Sequence, residues 1–166
     1  MMKVAWDLDG VLRDLSGHIA RINKCNYPTE WDYKYNGKSI YECIDENPDV
    51  LLEAPTTAYL FVLRKSFDNP EIWTCQPEKW RSKTLMWIHR HIGLRFRIHF
   101  LSGTEKEEKL KKEADYILIE DSPKFTNYDR ILLIDRPYNK GVRGAVRVFG
   151  TKHLSNLLEV AEQQRW

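Results

Sequence analysis

The chain has 166 residues, of which 42% are hydrophobic and 30% charged, and 26 Lys and Arg residues nearly balance 24 Asp and Glu residues. This length suits one domain of about 100–200 residues, and the 12% aromatic content with a net charge of +2 excludes intrinsic disorder. Such a balanced charge gives no case for nucleic-acid binding, and no run approaches the roughly 18 apolar residues of a membrane span.

Short apolar runs alternate with helix-length segments along most of the chain. Helical periodicity predicts helices over 77–92, 104–114 and 154–164, the second opening with a capping box from Thr104 to Glu107. We therefore predict an α/β fold, a Rossmann-like three-layer sandwich with a central parallel sheet. The runs that predict its strands are 3–9, 71–75, 95–101, 115–121 and 130–135.

The segment 16–69 interrupts this alternation directly after the first strand. It is too long for one crossover helix, and it contains turn-forming prolines and helical patterns at 18–24 and 56–67. We predict a small, mostly helical cap inserted there, with residues 1–15 and 70–166 forming the core domain. Ligands of open α/β sheets bind at the carboxyl ends of the strands, so the cap would cover such a site.

Polar side chains follow four of the predicted strands. The first strand ends in Asp7-Leu8-Asp9-Gly10, the second in Thr74-Cys75 and the fourth in Glu120-Asp121, while a lysine-rich helix follows the third. Because the carboxyl ends of parallel strands lie side by side, these groups should converge on one crevice. The set suits a divalent metal and a phosphate group.

Each of these residue types has a defined use in phosphoryl transfer. A carboxylate such as Asp7 can be the nucleophile that forms an acyl-phosphate, and Asp9, two residues later on the same side of an extended chain, can act as general acid and base. Clustered carboxylates call for Mg²⁺, held by Asp7, Asp9 and Asp121. Thr74 and a lysine would hold the phosphoryl oxygens.

Two lysines of the helix after the third strand are candidates for that role. Lys109 has Glu105 four residues earlier, as expected of a solvated, ion-paired face, whereas Lys106 has no such acid and precedes apolar Leu110 by four residues. We prefer Lys106 and keep Lys109 as the alternative.

The motifs together resemble those of the haloacid dehalogenase (HAD)-like phosphohydrolases. VAWDLDGVLRD is similar to their first motif and IWT to their second, and a lysine after the third strand and the acidic pair of ILIEDSP follow in the same order. Within that superfamily the chain is most similar to the 5'(3')-deoxyribonucleotidase family, through LLEAPTTAYLFVLRKSF, ADYILIEDSP, LLIDRPYN and RVFGTKHLSNLLE. It departs from that family at Glu120, where Asp is common.

The resemblance implies a role for each matching residue. Asp7 would be the nucleophile and a Mg²⁺ ligand, and Asp9 the general acid and base whose backbone carbonyl also faces the metal. Asp121 would complete the metal site, with Glu120 beside it. The residues that would bind phosphate or substrate are Thr74, Cys75 and Lys106.

The function that follows is a Mg²⁺-dependent phosphomonoester hydrolase acting through an aspartyl-phosphate, with (deoxy)nucleoside monophosphates as substrates. The alternatives are a HAD-like phosphatase of another small phosphomonoester or of polynucleotide ends, and a non-hydrolytic phospho-accepting or binding domain. A small-molecule partner is expected and duplex nucleic acid and membrane are not, while a homodimer is left open. Three cysteines in no metal-ligand spacing, and no secretory signal, predict a cytoplasmic protein.

Several further side chains are candidates for substrate contact. We interpret Arg13 and Lys124, which lie close to the motifs in sequence, as solvated, with phosphate contact as the alternative. Most aromatic residues of a small domain belong to its core, as we expect for Trp73, Trp87 and Tyr116. The cap aromatics that could stack on a nucleobase are Trp31, Tyr33, Tyr35 and Tyr41.

Overall fold

Six strands and seven α-helices make up the fold in this computed structural model, which describes residues 2–66, 70–93 and 95–164. The strands are β1 (Lys3–Trp6), β2 (Glu71–Thr74), β3 (Arg97–Phe100), β4 (Tyr116–Glu120), β5 (Ile131–Ile134) and β6 (Val146–Val148). The helices are α1 (Leu15–Ile22), α2 (Ile40–Glu46), α3 (Val50–Glu53), α4 (Tyr59–Ser66), α5 (Glu78–His91), α6 (Gly103–Lys112) and α7 (Thr151–Gln164), with a 3-10 turn at Pro137–Asn139.

The six strands form one parallel sheet in the order β3-β2-β1-β4-β5-β6. The central strands β4 and β5 are buried along their whole length, which explains their unbroken runs of apolar residues. Strands β2 and β3 lie on one side of β1 and strands β4 to β6 on the other, so the carboxyl end of β1 lies at the switch point at which ligands bind in such folds. The sheet confirms the predicted α/β sandwich.

Alternate strand residues pack against helices on the two faces of the sheet. One face joins Trp6, Ile72 and Ile119 to helices α4, α5 and α7 in a single buried cluster. The other face is covered by α6 through Leu110, with Trp73 in the same cluster. The residues predicted to be structural aromatics are all buried, namely Trp73, Trp87 and Tyr116.

Helices α1 to α3 have a hydrophobic cluster of their own. Ile19, Ile44 and Leu51 pack there together with Trp80, which α5 contributes from the core side. Helix α4 differs, because its Leu60 and Leu63 belong to the main cluster. The boundaries 16–69 of the cap stay a prediction, and residues 67–69 lie outside the described residues, but this packing favours an insertion that ends before α4.

Three features of the fold differ from the sequence-based expectations. Strand β6 was not predicted, because it is three residues long and carries Arg147 at its centre. Helix α2 was missed although Ser39 and Glu42 form a capping box at its start. Helix α6 begins at Gly103, and the predicted capping box at Thr104 is wrong, because Ser102 is the N-cap and bonds Glu105 reciprocally. Within the described residues, no helix is long and apolar enough to cross a membrane.

Candidate active site

The carboxyl ends of β1, β2 and β4 bring the predicted polar residues together. Asp7 follows β1 and is fixed by its backbone N–H, which donates to the carbonyl of Ile119 on β4 at 2.9 Å. Asp7, Thr74, Glu120 and Asp121 are all buried and all line one cavity. The rule that parallel strand ends meet at one edge therefore accounts for the position of each group.

Lys106 lies between two of these carboxylates. Its Nζ is 2.5 Å from Oδ1 of Asp7 and 2.8 Å from Oε2 of Glu120, and its side chain is 4% exposed. Burial lowers the pKa of Lys106, but the two carboxylates outweigh burial and raise it above its ordinary value. Lys109 is held elsewhere, ion-paired to Glu113 and lying over the rings of Trp73 and Tyr116.

Both carboxylate oxygens of Glu120 accept hydrogen bonds. While Oε2 accepts from Lys106, Oε1 accepts from the backbone N–H groups of Asp121 and Ser122 at 3.0 and 3.2 Å. The side chain thus fixes the lysine and the turn that presents Asp121. One carboxylate therefore contacts both groups, at the position where the sequence departs from the family pattern.

Carboxylate oxygens of Asp7, Glu120 and Asp121 all lie within 4.8 Å of one another. Burial, followed by the charge of Glu120, raises the pKa of Asp7 from 3.8 to about 8, and the same causes raise that of Asp121 well above 3.8. Oxygen ligands around a concentrated negative charge are the donors that Mg²⁺ prefers, so this group fits a bound divalent cation.

The carboxylate of Asp9 does not belong to that acidic group. It accepts from Arg13 at Nε and Nη2, at 2.6 and 2.9 Å, and from Nε2 of Gln76 at 2.6 Å. The backbone carbonyl of Asp9 as a metal ligand, which the resemblance implies, stays a prediction. The residue lines the cavity.

A loop after β5 supports the acidic group from the side. The hydroxyl of Tyr138 donates to Oδ2 of Asp121, and Nδ2 of Asn139 donates to the carbonyls of Asp121 and Ile134 at 2.8 Å each. Gly10 packs so closely that a Cβ there would lie 1.9 Å from Oδ2 of Asp121. Both loop residues stand in LLIDRPYN, but their roles were not predicted.

Two predicted phosphate binders follow β2. Thr74 is 1% exposed and Cys75 is exposed, and both line the cavity beside Lys106. Burial raises the pKa of the Cys75 thiol, so the neutral thiol is favoured. The structure thus brings the predicted groups to one opening, and their roles toward phosphate stay a prediction.

The cavity extends from the acidic group into the cap and has a volume of about 390 Å³. The rings of Trp31 and Tyr27 contact that of Tyr138, which joins the cap to the core at this point. The charged side chains at its cap end include Glu30 and Lys34. The aromatic side chains along its wall are Trp31, Tyr33, Tyr35, Tyr41, Trp80, Phe125 and Tyr138.

One expectation about a motif residue is wrong. Arg13, which we interpreted as solvated, has no exposed surface and pairs with Asp9. Its position four residues after Asp9 was the available signal, because short loops and helical turns bring such residues together. Lys124 is exposed, lines the cavity and lies 3.8 Å from Asp32.

A parallel sheet in this order, with acidic strand ends and a helical segment between β1 and β2, is a haloacid dehalogenase-like fold. Among solved structures the chain is similar to a protein assigned as a beta-phosphoglucomutase from Thermotoga maritima, with a TM-score of 0.57 and 16% identity, over 96% of this chain and 100% of that one. At this identity the likeness establishes the fold.

Two further solved structures are more distant. An assigned haloacid dehalogenase-like hydrolase from Burkholderia xenovorans LB400 has a TM-score of 0.49 and 14% identity over 100% of both chains. A HAD hydrolase, family IA, variant 3, from Entamoeba histolytica has a TM-score of 0.48 and 10% identity over 96% of this chain and 100% of that one. No family model matches the chain, and no curated protein matches it in sequence.

Proposed function

We propose that the protein is a Mg²⁺-dependent phosphomonoester hydrolase that acts through an aspartyl-phosphate on Asp7, with (deoxy)nucleoside monophosphates as substrates. The observation that carries this proposal is the pairing of Asp7 with Lys106 in the wall of a cavity that Asp9 also lines. A nucleophile, an ammonium and a second carboxylate within one opening are what a two-step phosphoryl transfer needs.

The two steps use Asp7 and Asp9 in turn. An oxygen of Asp7 attacks phosphorus while the bond to the leaving oxygen breaks, and the leaving oxygen takes a proton from the carboxyl group of Asp9. Asp9, now a carboxylate, then accepts a proton from the water that attacks phosphorus and frees Asp7. Lys106 and Thr74 hold the phosphoryl oxygens through both steps.

The residues that would hold Mg²⁺ are Asp7, Asp121 and the backbone carbonyl of Asp9. The ion, when bound, offsets the charge of the acidic group and of the phosphate. Glu120 holds Lys106 toward the same place. Tyr138 and Asn139 keep Asp121 in position.

The cavity supports a nucleoside as the leaving group. Its volume of about 390 Å³ lies within the roughly 300–1,000 Å³ typical of small-molecule sites. Trp31 is 43% exposed and Tyr41 54% exposed at its cap end, so both present ring faces on which a base can stack. A covered cleft of this kind suits a mononucleotide better than a duplex end.

The experiment is phosphate release from a panel of nucleoside monophosphates, sugar phosphates and nicked DNA, with Mg²⁺ or with EDTA. We expect Mg²⁺-dependent turnover of the mononucleotides that disappears in Asp7→Asn. Asp135→Asn is the matched control, because Asp135 also follows a strand but pairs with Arg147 and does not line the cavity. Faster release from nicked DNA than from mononucleotides would overturn the substrate assignment, and no release from any compound would overturn the enzyme.

A further inference from the structure

Arg13 is a charged side chain with no exposed surface, and it lies beside the cavity without lining it. Its backbone is bridged to Asp9 on one side and to Thr56 on the other. It therefore sits where the chain leaves the first strand and where it returns from the cap. An arginine in such a place is held by several partners or is costly to bury.

The guanidinium of Arg13 binds both carboxylate oxygens of Asp9. Nε donates to Oδ1 at 2.6 Å and Nη2 donates to Oδ2 at 2.9 Å, a bidentate arrangement that fixes the plane of the carboxylate. Gln76 adds a third donor at 2.6 Å from Oδ2. With three N–H groups directed at it, the Asp9 carboxylate is held in one orientation.

The remaining donors of Arg13 are fixed by two other parts of the chain. Nη1 donates to the carbonyl of Leu51 in helix α3 at 2.7 Å, and Nη2 also reaches Oγ1 of Thr84 in helix α5 at 3.3 Å. The Thr84 hydroxyl donates in turn to Oε1 of Gln76 at 3.1 Å. The guanidinium also lies 5.4 Å from the ring centre of Trp87. Thr84 of α5 therefore orients both residues that donate to Asp9, namely Arg13 and Gln76. Arg13 also contacts the cap through Leu51.

We propose that Arg13 is a positioning residue, which with Gln76 holds the Asp9 carboxylate in the orientation in which it takes the proton of the water that hydrolyses the aspartyl-phosphate. This inference rests on the proposed function. Asp9 and Gln76 line the cavity and Arg13 does not, so Arg13 acts on the reaction through Asp9. With a leaving group that needs no proton, its effect is confined to the second step, in which a proton passes from water to Asp9, the water oxygen bonds to phosphorus and the bond from phosphorus to Asp7 breaks.

A substrate with a weakly basic leaving group separates the two steps. Nitrophenolate leaves from p-nitrophenyl phosphate without needing a proton, so the first step with this compound is insensitive to Asp9, whereas the second step is not. The experiment is stopped-flow release of nitrophenolate with Mg²⁺, which gives the burst rate of the first step and the steady-state rate of the second.

In Arg13→Lys, which keeps the charge but loses the fork, we expect a burst of about one equivalent at nearly the wild-type rate. The steady-state rate should be lower by about 100-fold, the size of a general-base contribution. Arg130→Gln is the matched control, because Arg130 also donates to buried backbone carbonyls, those of Leu110, Glu113 and Tyr116, but lies away from the cavity. It should lower the melting temperature and leave the ratio of the two rates unchanged.

Thr84→Val gives a second test if Arg13→Lys does not fold. It removes the hydroxyl that orients Arg13 and Gln76 while keeping the Arg13 to Asp9 pair. We expect the ratio of burst to steady-state rate to rise about fivefold, the low end of what the loss of two hydrogen bonds gives. Equal losses in both rates for either variant would overturn the positioning role and leave the proposed function standing. Release of neither nitrophenolate nor nucleotide phosphate by the wild-type protein would overturn both.

Discussion

Lys106 Nζ lies 2.5 Å from Oδ1 of Asp7, although the two residues are 99 positions apart in sequence. The ammonium is 4% exposed, so neither charge is shared with bulk water. The pair places a buried ammonium beside the proposed nucleophile. A second carboxylate, that of Glu120, also binds the ammonium.

Lys106→Met should abolish most activity and lower stability. A buried charge pair that loses one partner costs about 3–5 kcal/mol, and loss of a cation at the reacting phosphate lowers turnover by about 10²–10³-fold. Lys109→Met is the matched control from the same helix, because Lys109 pairs with Glu113 and should leave turnover within about threefold of wild type, as expected of a surface pair. Nucleotide turnover and urea unfolding measure both effects, and equal turnover in the two variants would contradict the assignment.

The metal-free protein should lose stability as pH rises from about 4 to about 8. Burial and Glu120 raise the pKa of Asp7 from 3.8 to about 8, so over this range the folded chain holds a proton that the unfolded chain has released. The stabilising contribution is complete below pH 4 and disappears as pH passes 8. Urea unfolding in EDTA at several pH values measures this contribution to the free energy of unfolding. Asp7→Asn should make that free energy depend less on pH.

Mg²⁺ should stabilise the protein more at pH 8 than at pH 5. Binding requires carboxylates without protons, and the pKa values of Asp7 and Asp121 are both raised, so protons compete with the ion at low pH. The measurement is the shift in melting temperature with Mg²⁺ at the two pH values, with Ca²⁺ in parallel. A shift of equal size at both would show that the ion binds elsewhere.

Gly10→Ala should disturb the metal site beyond its effect on the backbone. Gly10 has φ +86°, and an added Cβ would lie 1.9 Å from Oδ2 of Asp121. Gly37→Ala is the matched control, because Gly37 has the same φ with no atom within 4 Å of the added carbon. In both variants, strain at positive φ should lower the free energy of unfolding by about 1–2 kcal/mol. Only Gly10→Ala should also weaken Mg²⁺ binding in calorimetry.

Trp31→Leu should raise KM for nucleoside monophosphates about tenfold and leave KM for glycerol phosphate unchanged. A stacked base contributes about 1–3 kcal/mol, and Trp31 lines the cap end of the cavity. Phe61→Leu, which changes an exposed aromatic of α4 outside the cavity, is the control. Parallel rises in KM for both substrates would argue against base stacking at Trp31.

The acidic and lysine positions could be predicted because they depend on strand ends and helix spacing, which are local in sequence. Lys106 was preferred over Lys109 from the ion-pair pattern and from its spacing to apolar Leu110, and the structure places Lys106 beside Asp7. Arg13 could not be placed correctly, because its partners Leu51 and Thr84 are 38 and 71 residues away. The support of Asp121 by Tyr138 likewise depends on how a loop folds back.

The most direct test is chemical trapping of the phosphorylated residue. Asp9→Asn should slow hydrolysis of the intermediate, so that p-nitrophenyl phosphate followed by acid quench and borohydride converts the acyl-phosphate at position 7 to homoserine, detectable in the peptide by mass spectrometry. We predict homoserine at position 7 and none in Asp7→Asn. Phosphate release by the wild-type protein with homoserine at another acidic residue, or at none, would contradict the nucleophilic role of Asp7.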